Sequence, residues 1–185
     1  MVLDELPKLP EFASRVDVNR TVAIGYSLGG YTMMAMASAC LAKLEGHQNQ
    51  GGAALLSLCC AIPLPFHGGI RIPVMYQGGQ RDRGITPYLK RAGSVYDLSN
   101  APKYFIEFRN QGHLAWTVRS CQGAASVASC IATNPSVRAI NDHGIAFLQT
   151  YVPGGGAPEN RSAPRLKSGP VDSTAVSDYR SKPGR

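Results

Sequence analysis

Gly25-Tyr26-Ser27-Leu28-Gly29-Gly30 stands between two runs of opposite character. Before it, Thr21 to Ile24 is short, apolar and β-branched, the composition of a strand. After it, Leu28 to Glu45 is long and rich in Ala and Met, which favours helix, and Gly46 ends the run. The hexapeptide matches G-x-S-x-G in the context of a strand-to-helix elbow, where the serine takes a strained backbone conformation on a sharp turn. The positions two residues away on either side must then lack bulk. Gly25 and Gly29 meet that need, and Gly30 lets the helix pack close to the sheet. Such a turn lifts the Ser27 hydroxyl above the sheet at the start of the helix. There the helix dipole and the Leu28 N–H can hold a developing negative charge.

The alternation continues along the chain. Ala53 to Leu58, Val74 to Gln77 and Lys103 to Phe108 read as further strands. Residues 2–15 read as a short helix broken by Pro7 and Pro10, and Pro87 to Tyr96 as a helix. Val137 to Tyr151 has helical spacing of Ile140, Ile145, Phe147 and Leu148. Short apolar strands alternating with helices predict an α/β fold: a mostly parallel sheet of about four strands flanked by helices. With 185 residues and 44% apolar content, the chain has one domain over residues 1–151. Residues 152–185 hold five Gly, five Pro and few large apolar residues, and read as a basic tail on the surface or disordered.

Charge and cysteine content narrow the function classes. The net charge is +7, of which residues 152–185 supply +3 through six Lys/Arg against three acids. The rest is spread thinly, with no Lys/Arg stripe interleaved with aromatics, so nucleic acid is not the expected partner. No apolar run is long enough to predict a membrane span. The first sixteen residues carry Asp4, Glu5 and Glu11 and no apolar run, so no leader peptide is read there. None of the five cysteines makes a C-x-x-C pair, so no metal site is expected. Cys40, Cys59 and Cys60 read as buried thiols. Cys121 and Cys130 flank a Ser/Ala-rich loop: they either pair, which implies an oxidising compartment, or stay free.

A nucleophilic serine needs a base and an orienting acid, which in an elbow-type fold follow it in the order acid, then histidine. Asp82 lies just past the third strand and His113 just past the fourth, both at carboxyl ends where open α/β sheets carry their sites. His113 would take the Ser27 proton and Asp82 would fix the imidazole tautomer. Glu107 lies inside a strand and Asp97 before one, while Asp142 and His143 are neighbours in the last helix. His67 and His47 read as loop and helix-end residues. Tyr26 and Leu28 flank the nucleophile and are expected to touch substrate. Trp116 either walls the pocket or packs in the core. Met33, Met34 and Met36 read as helix packing.

Three segments together resemble the α/β-hydrolase superfamily: Gly25 to Thr32, Pro73 to Gly79 with Asp82, and Gly112 to Trp116. Within it the chain looks similar to dienelactone-hydrolase-like esterases, related to the polyester-hydrolase and platelet-activating-factor-acetylhydrolase groups. The resemblance spans about Val18 to Tyr151. It implies a serine carboxylic-ester hydrolase with catalytic Ser27, Asp82 and His113, an oxyanion donor at Leu28, substrate contacts at Tyr26 and Trp116, and neither cofactor nor metal. Dienelactone hydrolases proper use cysteine, so serine implies ordinary ester substrates. The chain departs from the family by starting one helix before the elbow. The family's first four strands and its second oxyanion donor have no counterpart, which leaves the elbow strand at a sheet edge. That edge implies either the carboxyl-terminal part of a longer hydrolase or a homo-oligomer paired through it. The alternatives are a catalytically silent pseudo-hydrolase acting as an interaction module, and acyl transfer or thioester cleavage by the same three residues.

Overall fold

Five strands lie side by side in chain order: β1 (Val22–Tyr26), β2 (Ala54–Leu58), β3 (Val74–Gly79), β4 (Lys103–Phe108) and β5 (Val176–Lys182). The computed structural model describes residues 5–16, 22–38, 54–58, 70, 72–152 and 166–183. β1 to β4 pair in parallel and β5 joins β4 antiparallel, so the sheet is mixed and the protein is α/β. The helices are α1 (Leu28–Ser38), α2 (Thr86–Lys90), α3 (Val95–Leu98), α4 (Val127–Thr133) and α5 (Pro135–Tyr151). Among the described residues no helix is long and apolar enough to cross a membrane.

Every residue of β3 and β4 is buried, and alternate side chains serve opposite faces. Met75, Tyr104, Ile106 and Phe108 pack with Ala139, Ala146 and Phe147 of α5. Val74, Tyr76 and Phe105 pack with Met34 of α1, Leu89 of α2, and Val95 and Tyr96 of α3. The polar positions of β4 are buried too, each with a partner. Lys103 Nζ donates to the Tyr96 and Asp97 carbonyls at 2.7 and 2.8 Å. Glu107 accepts from Lys90 at 2.6 Å and from the Ser177 hydroxyl at 2.7 Å. The long helix α5 starts cleanly: the Asn134 side chain accepts from the N–H groups of Ser136 and Val137, and Pro135 needs no donor.

The structure corrects the tail expectation. Within 152–185, a helical turn at residues 166–168 and strand β5 belong to the fold, and Leu166 and Val176 are buried in the same cluster as α5. The Gly and Pro of the whole segment obscured a seven-residue β5, whose register against β4 runs from Lys182 opposite Lys103 to Val176 opposite Phe108. The helix expected over Pro87 to Tyr96 is two short ones, α2 and α3, separated near Gly93, whose φ of +69° suits glycine. Among the described residues of the amino end, the expected helix is reduced to a 3₁₀ turn at Leu6–Lys8, with Pro7 inside it. Cys121 and Cys130 form a disulfide. Cys40, Cys59, Cys60, His47, His67 and the end of the helix expected over Leu28 to Glu45 lie outside the described residues.

Candidate active site

Three turns at the carboxyl ends of β1, β3 and β4 bring together Ser27, Asp82 and His113. Ser27 follows β1 directly and has φ +53°, the left-handed region that a residue with a Cβ adopts only at a cost. Gly25 makes the turn possible: a Cβ there would sit 2.2 Å from the Gly29 carbonyl oxygen and 2.5 Å from the Gly30 nitrogen. The expected demand at Gly29 is not found. A Cβ on Gly29 would meet nothing within 4 Å, so the crowding is one-sided.

The Asp82 and His113 turns are fastened to each other. Gln80 N–H donates to the Phe108 carbonyl at 2.9 Å, and Arg81 N–H to the Gln111 carbonyl at 2.8 Å. Gly79 is where they touch: a Cβ there would lie 2.3 Å from the Gln111 carbonyl oxygen. Gly79 N–H also donates to the buried Thr86 hydroxyl at 2.9 Å. On the His113 side, Asn110 turns the chain with φ +57°, a conformation that asparagine tolerates better than most residues. Thr86 and Asn110 have no motif to announce them. Only the proximity of the two turns gives them meaning.

Asp82 is 6% exposed, with Oδ1 accepting from the Ile85 N–H at 3.1 Å and Oδ2 lying 3.0 Å from His113 Nδ1. On the other side of the ring, Nε2 is 3.1 Å from Ser27 Oγ. A carboxylate only accepts, so Nδ1 carries the proton toward Asp82 and Nε2 is left to accept from the serine hydroxyl. The imidazole is half-buried, while the Asp82 carboxylate beside it is almost wholly shielded from solvent. The arrangement can take a proton from Ser27 and hold the resulting cation against Asp82.

The flanking residues divide. Leu28 opens α1, where the first N–H groups of a helix have no intrahelical acceptor, and the residue is 67% exposed. The Tyr26 hydroxyl donates to the His113 carbonyl at 2.9 Å, and its ring stacks obliquely on the imidazole with centroids 5.1 Å apart. Trp116 packs against the core rather than standing free over the site. Its Nε1–H donates to buried Gln77 at 2.9 Å and its ring meets Phe108 edge-on. Met34 is buried and Met33 packs beside it, as helix packing requires; the Met36 side chain lies outside the described residues.

The rival acids and base are engaged elsewhere. Glu107 is tied to Lys90 and Ser177, and Asp97 accepts from the Gly93 N–H at 2.9 Å. His143 is fully buried between Ala139 and Val171. Among the described residues no cluster of three or more His, Cys, Asp or Glu could hold a metal ion. No protein-family model matches this chain, and no curated protein matches it significantly.

Proposed function

We propose that this protein is a serine hydrolase cleaving carboxylic esters, and that its sheet is the carboxyl-terminal part of an α/β-hydrolase fold. The observation that carries the reading is the unbroken chain Ser27 Oγ, His113 Nε2, His113 Nδ1, Asp82 Oδ2, with steps of 3.1 and 3.0 Å. Ser27 Oγ attacks the ester carbonyl as its proton passes to His113 Nε2. The carbonyl oxygen becomes an oxyanion beside the Leu28 N–H at the start of α1. The tetrahedral species collapses, the alcohol leaves with the proton from Nε2, and an acyl-Ser27 remains. Water then attacks the acyl carbonyl, losing a proton to His113 Nε2, and the second tetrahedral species releases the acid as Ser27 Oγ takes that proton back. Asp82 holds the tautomer and balances the imidazolium in both halves. Exposed Leu28 and Leu114 flank the nucleophile and base, which favours an acyl or alcohol group with apolar surface.

The test is hydrolysis of p-nitrophenyl acetate and butyrate by the wild-type chain beside Ser27→Ala and Asp82→Asn. Turnover should fall to background in Ser27→Ala and by about 10³–10⁴-fold in Asp82→Asn, whose amide favours the wrong tautomer. Equal rates in wild type and Ser27→Ala would overturn the reading in favour of an interaction module.

A further inference from the structure

We infer that Tyr26 is a positioning residue for His113, linking the nucleophile's strand to the base's turn. The inference rests on the serine-hydrolase reading of the same site. Tyr26 is the last residue of β1 and the immediate neighbour of Ser27, whose backbone is already fixed by the glycine crowding at the elbow. Its hydroxyl reaches 87 positions along the chain to donate to the His113 carbonyl at 2.9 Å. The ring lies 5.1 Å from the imidazole at an interplanar angle of 35°. Hydroxyl and ring thus hold both the peptide plane and one face of His113.

The demand for such a hold is geometric. His113 must present Nε2 to Ser27 and Nδ1 to Asp82 at once, and these come from strands β1 and β3, which do not touch each other in the sheet. The Asp82 turn is fastened to the His113 turn by backbone bonds, at Gln80–Phe108 and Arg81–Gln111. Tyr26 supplies a tie on the Ser27 side, and it runs from the residue next to the nucleophile. Proton transfer is sensitive to small displacements of the base, so a hydrogen bond that fixes the His113 backbone acts on turnover rather than on substrate affinity.

Tyr26→Phe keeps the ring and removes the tie. In the full chain, kcat for p-nitrophenyl butyrate should fall about tenfold, the rate equivalent of one hydrogen bond, with KM changed by less than about twofold. Labelling of Ser27 by a fluorophosphonate should slow by a similar factor, because it needs the same activated hydroxyl. In ¹H NMR, the downfield His113 Nδ1–H resonance should broaden in Tyr26→Phe through faster exchange. A raised KM with unchanged kcat would overturn the inference and make Tyr26 a substrate contact. A lowered melting temperature with normal kcat per titrated site and an unchanged resonance would overturn it and make Tyr26 a packing residue. If Ser27→Ala turned over as fast as wild type, the hydrolase reading would fail. The resonance would still report on the hold: broadening would support it, and an unchanged signal would overturn it.

Discussion

At the residue scale the elbow concentrates cost at two positions. Ser27 bears a positive φ and Gly25 bears the close approach of the first turn of α1. The glycine pair of the motif is symmetrical in sequence and asymmetrical in space. Gly25→Ala should destabilise the fold by about 1–3 kcal/mol or more, because backbone and not a flexible side chain blocks the new methyl. Gly29→Ala should stay within about 1 kcal/mol of wild type, since its methyl points into open space and alanine favours helix. Urea melts of the two variants check this, and equal losses would mean that both positions are crowded. The motif announced Ser27, and strand ends announced Asp82 and His113. The bond from Tyr26 to the His113 carbonyl was not legible, because its partners are 87 residues apart and neither belongs to a pattern that names the other.

At the scale of elements, α5 anchors the carboxyl-terminal segment through one buried histidine. His143 Nδ1–H donates to the Ala139 carbonyl at 2.7 Å, and Nε2 accepts from the Val171 N–H at 3.0 Å. The Val171 N–H requires an unprotonated Nε2 and so the neutral ring, and burial pushes the pKa below the ordinary histidine value. The Ala139 hydrogen bond and the charges of Asp172 and Asp142 oppose that shift without reversing it. The sign follows. Below about pH 6.5 the unfolded chain takes up a proton that the folded chain refuses, so stability falls as the pH drops. The expected slope is up to about 1.4 kcal/mol per pH unit until the folded ring also protonates. His143→Phe should remove this part of the pH dependence and lower stability at neutral pH by about 1–3 kcal/mol, because the Val171 N–H loses its acceptor. Denaturant melts at pH 5 and 7.5 for both proteins check it; an unchanged slope in the variant would place the dependence elsewhere. Periodicity located α5 and placed His143 in it, but a lone histidine carries no mark of what its two nitrogens meet.

For the whole molecule, the decisive correction concerns residues 152–185. Composition made them a tail, since average Gly and Pro content speaks for a segment and hides a short strand inside it. In space, β5 covers the outer edge of β4, and Leu166 and Val176 complete the cluster under α5. A chain ending at Val152 should therefore lose about 3–6 kcal/mol from those two side chains alone, a large share of the stability of a domain this size. Calorimetry of the shortened chain should show a melting transition lowered sharply or lost. A transition equal to wild type would restore the tail reading. The parallel order of β1 to β4 was more accessible, because buried parallel strands leave short apolar runs between helices, whereas an antiparallel edge strand leaves only a half-polar one.

The disulfide has a consequence for the covalent continuity of the chain. Cys121 and Cys130 enclose eight residues, of which 122–128 are exposed. A protease that cuts one peptide bond inside that loop separates the polypeptide that carries Ser27, Asp82 and His113 from the one that carries α5 and β5. The two pieces stay joined through sulfur, so the wound is silent until a reductant arrives. Even then, the packing of α5 against the sheet is what decides whether they part.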